Sequence, residues 1–140
     1  MSWDSIVDLT PDYNQGYDGV VSGGRPHVCF STNTLLYHTR AVDAEGSGWE
    51  PAAVITNPEG APSDVSMAEI AGLPAAAFYL QSGQVWYVQA TDDTGASWEE
   101  PQCVWGKTGA LGISLASWNN RPAISFGTGS GGAIYFSFLP

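Results

Sequence analysis

Apolar residues along this chain come in short alternating runs, and no segment keeps them at a 3.6-residue period. The clearest run is Gln84-Val85-Trp86-Tyr87-Val88-Gln89, whose β-branched and aromatic residues suit a pleated surface. The runs recur in register. Gly24-Arg25-Pro26-His27-Val28-Cys29-Phe30 returns as Gly72-Leu73-Pro74-Ala75-Ala76-Ala77-Phe78 and again as Asn120-Arg121-Pro122-Ala123-Ile124-Ser125-Phe126, so prolines and phenylalanines both repeat every 48 residues. Tyr37, Tyr87 and Tyr135 follow the phenylalanines, and Trp3, Trp49 and Trp98 mark a fourth landmark. Each unit predicts four strands. Strand A is the small-residue stretch Asp18 to Ser22, Ser66 to Ile70 or Ser114 to Trp118; strand B starts at the proline, strand C carries the tyrosine, and strand D begins at the tryptophan. Met67-Ala68-Glu69-Ile70-Ala71 is helix-compatible by propensity, but its alignment with the other two A segments makes it a strand. Four-stranded units at a period of 40 to 50 residues predict the blades of an all-β propeller. The expected organisation is one domain over residues 1–140, with repeats at about 3–48, 49–97 and 98–140.

Composition narrows the picture. Charged residues make up 13% of the chain, and glycine (17) and proline (9) are frequent, which excludes a coiled coil, a helical bundle or a disordered acidic tail. Net charge is −10, a surface that repels phosphate backbones and anionic lipid, so neither nucleic acid nor membrane is expected as a partner. The sequence shows no signal peptide and no apolar run of membrane-spanning length, and it leaves localisation undecided. Cys29 and Cys103 lie in apolar strand contexts and read as two buried free thiols, with at most one disulfide as the alternative.

The turn between strands C and D carries a more specific pattern. Thr91-Asp92-Asp93-Thr94-Gly95-Ala96-Ser97-Trp98 matches Ser/Thr-x-Asp-x-Gly-x-Ser/Thr-Trp at every defined position, with a degenerate copy at Asp43-Ala44-Glu45-Gly46-Ser47-Gly48-Trp49. In this reading the Asp93 carboxylate accepts backbone N–H groups of the turn, Gly95 supplies an unusual φ, and Trp98 tucks back on the hairpin. With the recurring Pro-to-Phe stretches, the chain resembles the bacterial neuraminidase (Asp-box) repeats of the sialidase-like β-propeller superfamily, from Trp3 to Phe138. The resemblance implies a six-bladed ring, with Asp boxes on the face opposite the active site.

Three blades cannot close a ring, because propellers close with about 4 to 8. The chain opens on a strand D (Trp3 to Leu9) and ends on a strand C (Ala133 to Phe138). We therefore expect a homodimer in which each N-terminal strand completes the partner's third blade, giving a six-bladed ring with an exchanged strand. A piece of a longer propeller is the alternative.

Candidate chemistry is sparse. The sialidase resemblance implies an arginine triad, a tyrosine nucleophile paired with Glu, and an acidic proton donor. Only Arg25, Arg40 and Arg121 are present, and the family's Phe/Tyr-Arg-Ile-Pro motif is missing, since Arg25-Pro26 and Arg121-Pro122 lack the isoleucine. His27 and His38 read as packed histidines, no zinc, EF-hand or phosphate-loop spacing occurs, and no cofactor or metal is expected. The D-to-A and B-to-C loops, which share the ligand face by family analogy, carry aromatic and amide groups suited to neutral carbohydrate. Candidate ligand-binding residues are Tyr13, Tyr17, Asn57, Glu59, Tyr79, Gln81, Trp105 and Lys107. The expected function is a non-catalytic, self-assembling binding scaffold of lectin-like character, with a sialidase-like glycoside hydrolase as the alternative.

Overall fold

A computed structural model describes residues 7–9, 15–56, 59–129 and 131–139, and among them it holds eleven strands and no helix. β1 (Gly16–Ser22), β2 (Arg25–Ser31), β3 (Leu36–Arg40) and β4 (Ala53–Thr56) form one antiparallel sheet in chain order. β5 (Pro62–Ile70), β6 (Leu73–Leu80), β7 (Val85–Gln89) and β8 (Gln102–Trp105) form the second. β9 (Ala110–Trp118), β10 (Arg121–Thr128) and β11 (Ile134–Phe138) form the third, which has three strands among the described residues. The sheets stack face to face, with β5 lying between β1 and β9. The first four residues of the expected N-terminal strand, Trp3 among them, lie outside the described residues, and Val7 to Leu9 belong to no strand.

Each sheet begins with a two-residue hairpin. Its central pairs, Gly23-Gly24, Ala71-Gly72 and Asn119-Asn120, all have φ between 50 and 81°, the geometry whose twist matches that of the flanking strands. Glycine and asparagine adopt it readily, whereas Ala71 meets a steric penalty there. Ala71→Asn, which installs the residue found in the third hairpin, is expected to raise stability by about 0.5–1 kcal/mol. Urea unfolding checks this, and an unchanged or lower midpoint would contradict it.

The middle sheet is buried on both faces, which explains the unbroken apolar run Leu73-Pro74-Ala75-Ala76-Ala77-Phe78-Tyr79-Leu80. On one side Ala76, Phe78, Leu80, Val65 and Met67 pack on Cys29 and Leu36 of the first sheet. On the other, Ala75, Ala77, Val85 and Tyr87 pack on Leu115, Ile124 and Phe126 of the third. The repeated phenylalanines therefore share one role: Phe78 and Phe126 each look back at the preceding sheet.

Two sequence expectations shift by small steps. Phe30 pairs with Tyr37 and Phe126 with Tyr135, but Phe78 pairs with Trp86. Tyr87 thus stands one register position away from the other two tyrosines and faces the third sheet. One residue of loop-length difference suffices, since a single step along a strand exchanges its faces. Trp49 and Trp98 form isolated bridges to Ala41 and Ala90, and β4 and β8 start four residues later. Pro51 and Pro101 fall in between, where a missing N–H interrupts the ladder.

Candidate functional site

Antiparallel order places the B-to-C loops and the D-to-A connections at one end of the stack. Backbone bonds tie them together: Gln81 N donates to Ala61 O at 2.8 Å, Ala110 N to Gly83 O at 3.1 Å, and Gly129 N to Gly109 O at 3.2 Å. Over this frame runs a chain of side-chain amides. Gln81 Nε2 donates to Gln15 Oε1 at 3.3 Å, and Gln15 Nε2 donates to Asn33 Oδ1 at 2.8 Å. Glu59 is exposed beside them in sequence order, on the connection from β4 to β5. Lys107 holds its ammonium 5.1 Å from the Trp105 ring centroid.

The sequence-derived candidates divide accordingly. Gln81, Glu59 and Lys107 are exposed at the loop end, and Gln15 and Asn33 join Gln81 there although sequence reasoning passed over both. Their signal was their position in the first sheet's loops, but no motif singled them out. Tyr79 and Trp105 instead lie across the middle sheet from Val85 and pack into the core against the third sheet, with Trp105 4.6 Å from Tyr135 and 5.3 Å from Phe126. They are half-buried walls more than free platforms. Tyr17 is 75% exposed, on the outer face of the first sheet. Tyr13 and Asn57 lie outside the described residues.

The opposite end holds the C-to-D turns and all three arginines: Arg25 and Arg121 open β2 and β10, and Arg40 closes β3 in a 2.6 Å ion pair with Glu50. Lys107 is therefore the cation of the loop end. The turns themselves correct one expectation. Asp92, not Asp93, anchors the second turn, accepting Thr94 N at 2.9 Å and Thr94 Oγ1 at 2.6 Å, while Trp98 Nε1 donates to Gly95 O at 2.9 Å. Asp43 does the same in the first turn, accepting Ser47 N at 2.9 Å and the Ser47 hydroxyl. These bonds hold both carboxyls below the usual carboxylate range. Asp43 and Asp92 stand the same distance before Trp49 and Trp98, so the acid of the degenerate copy is in register after all. Asp93 turns instead toward Gly23 of the first sheet.

Beneath this end lies a buried histidine pair. His27 Nδ1 and His38 Nε2 are 2.9 Å apart, and His27 Nε2 is 3.1 Å from Ser22 O. A carbonyl only accepts, so His27 carries its proton on Nε2 and its Nδ1 accepts from His38 Nε2–H. Burial, opposed by the Ser22 hydrogen bond and by Asp93 and Glu50, lowers the His27 pKa; burial, His27 and Arg40 lower that of His38 to about 4. Both rings are neutral at pH 7, and the Trp98 ring covers His38 edge-on at 5.3 Å. Cys29 is buried and its thiol pKa is raised by desolvation, but Cys103 is exposed on β8, contrary to expectation, because β8 is an outer strand. Among the described residues no group of three or more His, Cys, Asp or Glu side chains is placed to hold a metal.

Both end faces of the stack expose large apolar side chains. On the third sheet Ile134 is 83% exposed, Phe136 65% and Trp118 51%. Phe138 joins them, 5.3 Å from Trp118 and 6.1 Å from Phe136 between ring centroids. On the first sheet Tyr17, Val21 and Val54 are all exposed. Register equates Phe136 with Tyr87, and Ile134 with Val85, both buried between sheets two and three.

No family model matches the chain, and no curated protein matches it. A solved structure does: the K499G mutant of NanB sialidase from Streptococcus pneumoniae, with a TM-score of 0.60 at 17% identity, over 87% of this chain and 21% of that one. The chain thus spans about a fifth of the sialidase it matches, and the likeness is one of fold. These three antiparallel sheets have a sialidase-like, β-propeller-type fold.

Proposed function

We propose that this chain is a non-catalytic, self-assembling β-propeller of Asp-box type. Two copies close a six-bladed ring, and its loop end serves as a lectin-like scaffold for neutral glycans. One observation carries the reading: the faces at the two ends of the stack expose large apolar side chains, and Phe136 and Ile134 hold the register positions of Tyr87 and Val85, which are buried between sheets inside the chain. Covering the exposed half of each large side chain contributes about 1–2 kcal/mol, and the seven such residues on the two faces form contiguous patches of the kind that mark association surfaces. The outer edge of β11 has no partner strand among the described residues, in the place that β4 and β8 fill in the other sheets. In the ring, residues Trp3 to Leu9 of the second copy take that place. A chain lacking residues 1–9 is accordingly expected to stay single under conditions where the full chain pairs.

The amide chain Gln15–Asn33–Gln81, with Glu59 and Lys107 nearby, supplies the donors and acceptors that sugar hydroxyls need, and the exposed Tyr17 lies at the same end of β1. The likeness to a sialidase favours a glycoside hydrolase as the second reading. Against it, all three arginines stand at the opposite end, so no arginine clamp for a carboxylate faces these loops. A glycan array together with fluorogenic glycosides separates the two. Saturable binding without turnover, weakened roughly tenfold or more by Gln81→Ala, supports the scaffold. Turnover that is lost in Glu59→Gln supports the hydrolase.

A further inference from the structure

The contacts between successive sheets repeat with the sequence, and the series stops one member short. Asp18 Oδ2 of β1 accepts the Met67 N–H of β5 at 2.7 Å, and Ser66 Oγ of β5 accepts the Leu115 N–H of β9 at 2.9 Å. Asp18 and Ser66 pair across their sheets with Cys29 and Ala77, and the third residue in that register is Ser114, opposite Ser125. Ser114 is exposed, and its hydroxyl has no hydrogen-bond partner among the described residues. The N–H series begins with Gly19, the register equivalent of Met67 and Leu115. That amide is exposed and donates to its neighbour Asp18 Oδ1 at 2.9 Å.

Side-chain sizes at the two ends change in compensating directions. Gly19 stands where the inner sheets carry Met67 and Leu115, and Val21 where they carry Glu69 and Ser117. Facing the other way, Trp118 stands where the others have Ser22 and Ile70, and Phe138 where they have Arg40 and Gln89. The inner junction shows which of these positions meet, for Glu69 Oε2 accepts the Gly23 N–H next to Ser22 at 3.2 Å. Bulk gained on the third sheet thus answers bulk lost on the first, and a polar contact inside the chain is replaced by an apolar one at its ends. A second copy of this chain carries both halves of that match.

We propose that the two copies meet through a specific seam: Ser114 Oγ of one accepts the Gly19 N–H of the other, Trp118 and Phe138 pack on Val21, and Phe136 occupies the space left above Gly19. This seam rests on the ring reading and gives it a register. Installing the inner-sheet residue, Gly19→Met, is then expected to weaken pairing roughly tenfold or more, as overpacking does. A Cβ there meets His27 O at 3.3 Å and Val28 Cγ2 at 3.6 Å, so the single chain tolerates it with a small adjustment. Association by unspecific apolar contact would instead be unchanged or strengthened by the added side chain. Ser114→Ala supplies a second, conservative reading. In the assembled protein it is expected to speed exchange of the Gly19 amide roughly fivefold, leaving the Met67 and Leu115 amides unchanged, as followed by NMR. Twice the mass of one chain for the wild type, with neither variant showing its effect, overturns the seam and leaves the ring standing. The mass of one chain for the wild type overturns the ring, and the seam with it.

Discussion

Gly83→Ala is expected to destabilise the fold by about 3–5 kcal/mol, a large fraction of the stability of a domain this size. Gly83 has φ 90°, which an L side chain adopts at a cost, and a Cβ there would stand 1.9 Å from Gly109 N and 2.7 Å from Ala110 N. Both are backbone atoms of the connection into the third sheet, so no rotamer change relieves the clash. Sheets two and three must separate, and the bond from Ala110 N to Gly83 O goes with them. Gly46→Ala is the matched control. Its φ is 71° but nothing lies within 4 Å of the added Cβ, so about 1–2 kcal/mol is expected. Urea unfolding of the two variants checks the contrast. Equal losses would mean that the loop end does not hold the two sheets at the distance described.

Acidification from pH 7 to pH 4 is expected to remove about 3 kcal/mol through His38 alone. The folded-state pKa of His38 lies near 4, below the ordinary value of 6.5, so the unfolded chain binds the proton first. Stability is full above pH 6.5, falls as pH drops below it, and levels off below about 4. His27 shifts in the same direction and adds to the loss. The cause is geometric: protonating His27 Nδ1 would set two N–H groups against each other across 2.9 Å, under the Trp98 ring and away from water. Arg40 opposes a second positive charge, while Glu50 and Asp93 soften the effect. Asp43 and Asp92 also have lowered pKa values, and they titrate below the window in which His38 acts. These are the only two histidines of the chain, so NMR observes the pair without ambiguity. Both rings should hold the neutral Nε2–H form at pH 7. Unfolding free energy that stays flat from pH 7 to pH 4.5, or a charged His38 ring at pH 6, would contradict this account.

Much of the fold was legible because it is written three times. The 48-residue spacing of Pro26, Pro74 and Pro122 and of the three phenylalanines located strands A and B, and Phe78 and Phe126 indeed fill the same place between sheets. Strand C was harder. Tyr87 looked like the partner of Tyr37, but a loop one residue shorter or longer moves a landmark to the other face, and Trp86 holds the equivalent place. In the second turn the consensus pointed to Asp93, yet adjacent carboxyls of one chemistry can be told apart only by which one reaches Thr94. The loop end was least legible. Trp105 and Tyr79 have the composition of a sugar platform, and only the packing of sheet on sheet shows that both are partly committed to the core. The Gln15–Asn33–Gln81 chain joins residues up to 66 positions apart, and no local pattern announces it.

Closure by a second copy is the claim on which the seam and the glycan-binding ring depend. Light scattering across a dilution series of the full chain, at pH 7 and moderate salt, tests it most directly. Twice the mass of one chain is expected, falling toward a single chain on dilution or with Phe136→Glu. A mass of one chain at every concentration would contradict it, and so would open-ended growth beyond two copies.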